Sequence, residues 1–360
     1  MIKKYILLLC LSLLTLLSSL LSADDNIIKK HPTGLRKLTP REQSYISKRI
    51  HPLTKPEPNR LALQRFAEAP GTNEGIAASA INSQFLPPVG DQGNLSSCAA
   101  WASCYYVKTY QDAQQRNWSD LATNLAHQMS PAFGYNLANG GVDDGSDPGF
   151  IMQLMCDHGC TTMADMFVSS VSTDVITWPT APMWQSAITY RADTASTIDL
   201  SVSSGITALK QWIANGNVAV IGIEAYENLE YYHNPFLRRA VTISTNSVLY
   251  ANSGIDEGGH AMTVIGYDDT ISFTTGSGQQ ETGAFLLVNS WGTDWGITEP
   301  RTGIATAGFI WISYDYVQNL STYKEAYVMT DRSGYTPTTF GTFTLTHPDR
   351  GDLDVQFMGG

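Results

Sequence analysis

Helix-type and strand-type segments are segregated along this chain, and that order constrains the fold more than any other feature. Five short runs, VAVIGIE (218–224), AMTVIGY (261–267), AFLLVNS (284–290), GFIWIS (308–313) and EAYVMT (325–330), are rich in the β-branched and aromatic residues that suit a pleated, half-buried surface. Ahead of them, the apolar positions Cys98, Trp101, Ala102, Tyr105 and Thr109 recur every three or four residues, which predicts a helix with one buried face over roughly 97–116. Asp147, followed by Pro148, caps a second helix that stops near Gly159, and a third covers roughly 205–214. Helices first and strands after imply an α+β body in which a helical lobe faces a sheet or partly closed barrel. A ligand cleft is expected between the two lobes.

The ends of the chain read differently from this body. MIKKY, then ILLLCLSLLTLLSSLL, then Ser22 and Ala23 follow the charged, apolar and small-residue order of a secretory signal peptide over residues 1–23. The expected mature protein is secreted, extracellular or periplasmic, with no membrane segment after signal removal, and it reaches a compartment that permits disulfides. A net charge of −11 with only 15% charged residues argues against nucleic acid as a partner. That charge is divided, because residues 24–84 carry +4 and residues 85–360 carry −17. The basic segment 24–84 reads as a weakly folded arm with one short helical candidate, capped by Asn59 and running through Leu61, Leu63 and Phe66. At the far end, FGTFTLT (340–346) alternates like an edge strand within a C-terminal extension, 333–360.

The chemistry concentrates in three motifs of the body, 85–332. VGDQGNLSSCAAWASCYY (89–106) sets Cys98 at the first turn of the long helix, where unpaired backbone N–H groups and the helix dipole favour a thiolate. EGGHAMTVIGYDD (257–269) offers His260 at the start of an apolar strand as the base that such a nucleophile needs. FLLVNSWGTDWG (285–296) supplies Asn289 to orient the imidazole and Trp291 to shield the contact from water.

Together these motifs resemble the papain family (C1) of cysteine peptidases. Gln92, Gly93 and Cys98 stand at the family's separation, His260 and Ala261 open a strand that ends in Gly266 and Tyr267, and Asn289 to Gly292 match the Asn, Ser, Trp, Gly signature. The segment 206–225 is similar to the family's helix and strand before the histidine. The resemblance, over about 85–330, implies a two-lobed papain-like fold and hydrolysis of peptide bonds in proteins or peptides. Cys98 would attack the carbonyl and His260 would carry the proton to the leaving amine. Asn289 would hold the ring, and Gln92 with the Cys98 N–H would form the oxyanion hole. Gly145 and Ser146 are the best matches to the glycine-rich wall that pairs with substrate backbone, and Gly259, Ala261 and Trp291 complete the expected substrate-binding set.

The chain also departs from the family pattern. Leu95 stands where a disulfide-bonded cysteine is usual, the family's propeptide signature is not recognisable in 24–84, and 231–257 is longer than usual. The Gly, Gly, His sequence, the GYDD end (266–269) and the reduced disulfide set look most like prokaryotic secreted members. No metal or cofactor is expected: Cys156, His158 and Cys160 have poor zinc spacing, and Asp143, Asp144 and Asp147 read as a solvated turn. Cys104, Cys156 and Cys160 allow at most one internal pair, with three choices open. The charge division suggests that the arm lies across the cleft as an intramolecular inhibitor of a monomeric zymogen, the alternative being a plain spacer. Competing functions are an amidase or acyltransferase acting on a non-protein amide, and an inactive binding protein on the same scaffold.

Overall fold

A computed structural model describes residues 31–53, 76–168, 175–230, 232, 247–334, 345–346 and 348. The expected signal peptide, the helical candidate at 59–66 and most of the edge strand at 340–346 lie outside these residues. The expected long helix, α2, runs as three consecutive pieces. Cys98–Ala100 is α-helical, Trp101–Lys108 takes the wider π geometry, and Thr109–Arg116 returns to α before Asn117 ends it in the left-handed region. It is buried from Cys98 to Gln114, and Lys108, wholly inside, survives there because Asp112 (2.7 Å) and Asp331 (2.6 Å) neutralise it. Asp331 closes the last strand, so this buried pair fastens the helix to the sheet.

Around α2 pack α3 (Pro131–Ala138), capped by Ser130, and α4 (Pro148–His158), capped by Asp147 through the Phe150 N–H as expected. The short α5 (Ala181–Ala187) follows, and α6 (Ser203–Ala214) matches the third expected helix.

The strands are β1 (His51–Pro52), β2 (Ser79–Ile81), β3 (Ala192–Asp199), β4 (Ala219–Tyr226), β5 (Val248–Leu249), β6 (Asp256–Thr274), β7 (Gln280–Val288), β8 (Phe309–Ser313) and β9 (Glu325–Asp331). They form one sheet in the order β1-β3-β9-β4-β6-β7-β8-β5, with β2 also on β6. All five expected strands are present. β3 escaped the sequence reading because ADTASTID carries almost no large apolar residues. One core cluster joins α2 and the neighbouring helices to the sheet; a second gathers α6, through Trp212, with Trp295 and Tyr316. The helical part therefore faces the sheet, which is the expected α+β, two-lobed arrangement.

The arm is not weakly folded where it is described. Thr39 and Glu42 cap the helix α1 (Pro40–Ile46) reciprocally, β1 pairs in parallel with β3, and β2 pairs antiparallel with β6 at Gly266. Among the described residues no helix is long and apolar enough to cross a membrane, and no cluster of three or more His, Cys, Asp or Glu could hold a metal.

Candidate active site

Two loops zip together at the start of α2. Gln92 donates its backbone N–H to Ser290 (2.8 Å), Gly292 donates to Gly90 (2.9 Å), and Asp91 bridges to Trp291. Tyr106, on α2, braces both: its hydroxyl donates to the Asn289 carbonyl (2.6 Å) and accepts from the Gly90 N–H (3.0 Å). The sequence thus builds three motifs that are far apart in the chain into one rigid corner.

In that corner His260 and Asn289 are buried, with Nε2 of the imidazole 2.7 Å from Asn289 Oδ1. The same oxygen accepts the Ser290 N–H at 2.7 Å, which fixes the orientation of the amide because a backbone N–H needs an acceptor. An oxygen facing Nε2 places the neutral ring's proton on Nε2. Trp291 lies over the imidazole, with ring centroids 4.4 Å apart, and Trp295 meets Trp291 edge-on. Trp291 therefore stands beside the His260–Asn289 contact.

The Cys98 sulfur faces the backbone of Ala261, the residue after His260. Burial pushes the thiol up to about 11, although backbone groups of Ala261, Gly34 and Ala99 favour the thiolate. Here desolvation outweighs the position at the helix start, contrary to the sequence expectation of a thiolate. The reason is a covering segment. The Gln92 amide Nε2 donates to Leu95 O (2.8 Å) and to Pro32 O (3.1 Å), while its Oε1 accepts from the Ser290 hydroxyl (2.7 Å).

Pro32 begins an extended stretch of arm that crosses the site. Gly34 N and Leu35 N both donate to Gly259 O (3.1 and 2.9 Å). On the opposite side Ser146 N donates to Gly34 O (2.8 Å), and Arg36 N donates to Ser146 O (3.3 Å). The expected substrate-binding residues Gly259 and Ser146 therefore grip one strand from two walls, antiparallel and parallel respectively. Small residues make this approach possible. A Cβ on Gly34 would stand 2.0 Å from Ser96 O, and one on Gly145, at φ +89°, would stand 2.3 Å from Gly34 O. Leu35 is buried against Gly222, Gly259 and Tyr323.

Beyond the crossing, the Arg36 guanidinium makes two hydrogen bonds to Glu42 (2.7 and 2.8 Å) and donates to Gly145 O (3.0 Å). Tyr45 is hydrogen-bonded to Asp157 on α4. Burial works against the Glu42 carboxylate, but Arg36 and Thr39 hold it below the usual carboxylate range. Sequence reasoning missed Pro32 to Leu35, Ser290 and Tyr323. An uncharged stretch such as HPTGL gave no charge or periodicity signal, while Ser290 stood in a recognised motif without an assigned part.

No protein-family model matches the chain. In sequence it is 25% identical over 283 residues to Cathepsin B-like CP3 of Giardia intestinalis, an alignment that covers 73% of this chain and 83% of that protein. Its structure is similar to that of xylellain, a cysteine protease from Xylella fastidiosa (TM-score 0.55, 17% identity, covering 85% of this chain and 99% of that one). It is also similar to procathepsin B S9 from Trypanosoma congolense (TM-score 0.53, 14% identity, covering 84% and 87%). Fold, order of motifs and sequence likeness agree: the chain has a papain-like fold and is similar to papain-family (C1) cysteine proteases.

Proposed function

We propose that the chain is an exported cysteine endopeptidase, made as a zymogen, which cleaves peptide bonds through an acyl-enzyme on Cys98. The observation that carries this reading is the occupant of the cleft: an extended polypeptide, Pro32 to Arg36, paired by its backbone to both walls. A groove that binds main chain from two sides suits a peptide substrate better than a non-protein amide.

In the reaction His260, oriented by Asn289 through Nε2, works through Nδ1. It takes the Cys98 proton as the sulfur attacks the scissile carbonyl, and delivers that proton to the leaving amine. Charge developing on the carbonyl oxygen is met by the Gln92 amide and the Cys98 N–H. Water then attacks the thioester, with His260 as base, and restores the thiol. Trp291 keeps bulk water from the His260–Asn289 contact.

The arm occupies this groove without being a substrate because it runs the wrong way. By the family resemblance, the residue seated beside Gly259 belongs upstream of the scissile carbonyl. Leu35 sits there, yet the carbonyl at Gln92 belongs to Pro32, which precedes it in the chain. Attraction between a basic arm and an acidic body contributes little to this hold. Among the described residues, the arm-to-body ion pairs Arg36–Asp144 (3.6 Å) and Arg49–Asp157 (4.0 Å) are long and partly exposed.

The test is a panel of fluorogenic peptides and non-peptide amides offered to the processed protein, with Cys98→Ala as control. Cleavage of peptides that disappears in the variant supports the reading. Turnover of non-peptide amides alone, or turnover that survives in Cys98→Ala, overturns it.

A further inference from the structure

Cys98, Cys104, Cys156 and Cys160 are all buried thiols in this structure, and the reaction uses only the first. Cys104 projects from the π-helical part of α2 toward α3, where a Cβ on Gly134 would stand 2.4 Å from its sulfur. Cys160, two residues beyond α4, sets its sulfur 3.5 Å from the carbonyl oxygen of Ser130, the cap of α3. Ser130 and Gly134 lie one helical turn apart, so both sulfurs approach the same turn from different elements. Burial and the neighbouring Cys160 thiol both push the Cys104 thiol well above its ordinary value. Cys156 has other surroundings: its carbonyl accepts from Arg191 Nε and Nη2 (2.9 and 2.7 Å), and its thiol senses Asp157 and Asp193.

We propose that Cys104 and Cys160 are joined by a disulfide in the mature protein. The inference rests on the proposed export, which delivers the chain to a compartment where such bonds persist. Both thiols lose their protons and one S–S bond forms. The two electrons pass to a disulfide-bearing oxidant, which leaves as two thiols. Both positions are sealed from water, so the bond forms before the core closes and is then shielded from reductant. The loop it closes contains α3, the Gly145–Ser146 wall and α4. It would thus cross-link the helix that bears Cys98 to the segment that carries one side of the groove, at a place unrelated to the missing cysteine at Leu95.

The experiment refolds the full chain in a glutathione redox buffer, alkylates it in denaturant without reductant, and maps the peptides by mass. The expected result is a Cys104–Cys160 linked peptide pair, with Cys98 and Cys156 alkylated. Alkylation of both Cys104 and Cys160, or a Cys156–Cys160 pair, overturns the assignment. The buffer supplies the oxidant, so this outcome is independent of export, which is read separately from the N-terminus of protein recovered outside the cell. As a second measurement, chain refolded with oxidant should melt roughly 5–10 °C above chain refolded with reductant. That difference should vanish in Cys160→Ser, and its persistence there counts against the proposal.

Discussion

The side-chain amide of Gln92 donates to the carbonyl oxygen of Pro32 at 3.1 Å. In the proposed reaction this donor belongs to the scissile carbonyl, so the arm holds the place where negative charge would develop. Loss of Gln92 should therefore act on the transition state. In the processed enzyme, Gln92→Ala is expected to lower kcat by roughly 100-fold with little change in KM. A variant with normal kcat and a raised KM would make Gln92 a binding residue only.

Gly34 is the tightest point of the arm's path, because any side chain there meets Ser96 O. Forcing in a valine costs about 1–3 kcal/mol, which shifts occupancy of the groove by roughly 5- to 150-fold. Gly34→Val in the full-length chain should thus cleave a small fluorogenic peptide at least about fivefold faster than the parent. Equal rates in the two proteins would show that the crossing segment does not gate the site.

Covering the site also silences the thiol. With Cys98 pushed up to about 11, the thiolate fraction at neutral pH is on the order of 1 in 10,000 in the covered form. An epoxide of the type that traps papain-like thiolates should label full-length parent slowly and Gly34→Val rapidly, with the adduct on Cys98 in both. Fast labelling of the parent, or an adduct on Cys104, Cys156 or Cys160 instead, would contradict this account of the burial.

Much of this site was legible in the sequence because its chemistry travels in compact motifs. Gln92 with Cys98, His260 with Ala261, and Asn289 with Trp291 each lie within a few residues, and the strand or helix beside them reveals its period. The crossing segment was not legible. Backbone pairing needs no particular side chain, so Pro32 to Leu35 carry no pattern, and charge foretold that the arm would meet the body without saying how. The π-helical stretch was hidden for a related reason: Trp101 to Lys108 show ordinary helical spacing, and no residue pattern in them marks the widened turns. The resemblance to a family supplied the oxyanion donor, yet the hydroxyl of Ser290 that steadies it came only from the fold.

Asp147 should give stability a pH dependence. Burial raises its carboxyl from 3.8 to about 6, outweighing the Phe150 N–H and the Tyr327 hydroxyl. The folded state thus holds this proton longer than the unfolded chain does. Its contribution is fully present below about pH 4 and is lost as pH rises through about 6, a change on the order of 3 kcal/mol. Asp147→Asn keeps an oxygen for the Phe150 N–H and cannot ionise. Denaturant unfolding from pH 4 to pH 7 should show the parent losing stability relative to the variant, whereas parallel curves would mean that Asp147 is charged throughout.

Beyond its passage through the groove the arm joins the sheet twice, first through β1 on β3 and then through β2 on β6. The proposed inhibitor, held in this way, cannot be diluted. Its effective concentration is set by the chain and stays the same in a crowded envelope or in open medium. A cut between the two strands would therefore not by itself open the site, because the severed piece is still fastened by Tyr45, β1 and the pairing to Gly259 and Ser146. Activation then becomes a matter of dissociation, slow where the fragment is left intact and fast where a second protease consumes it as it frays.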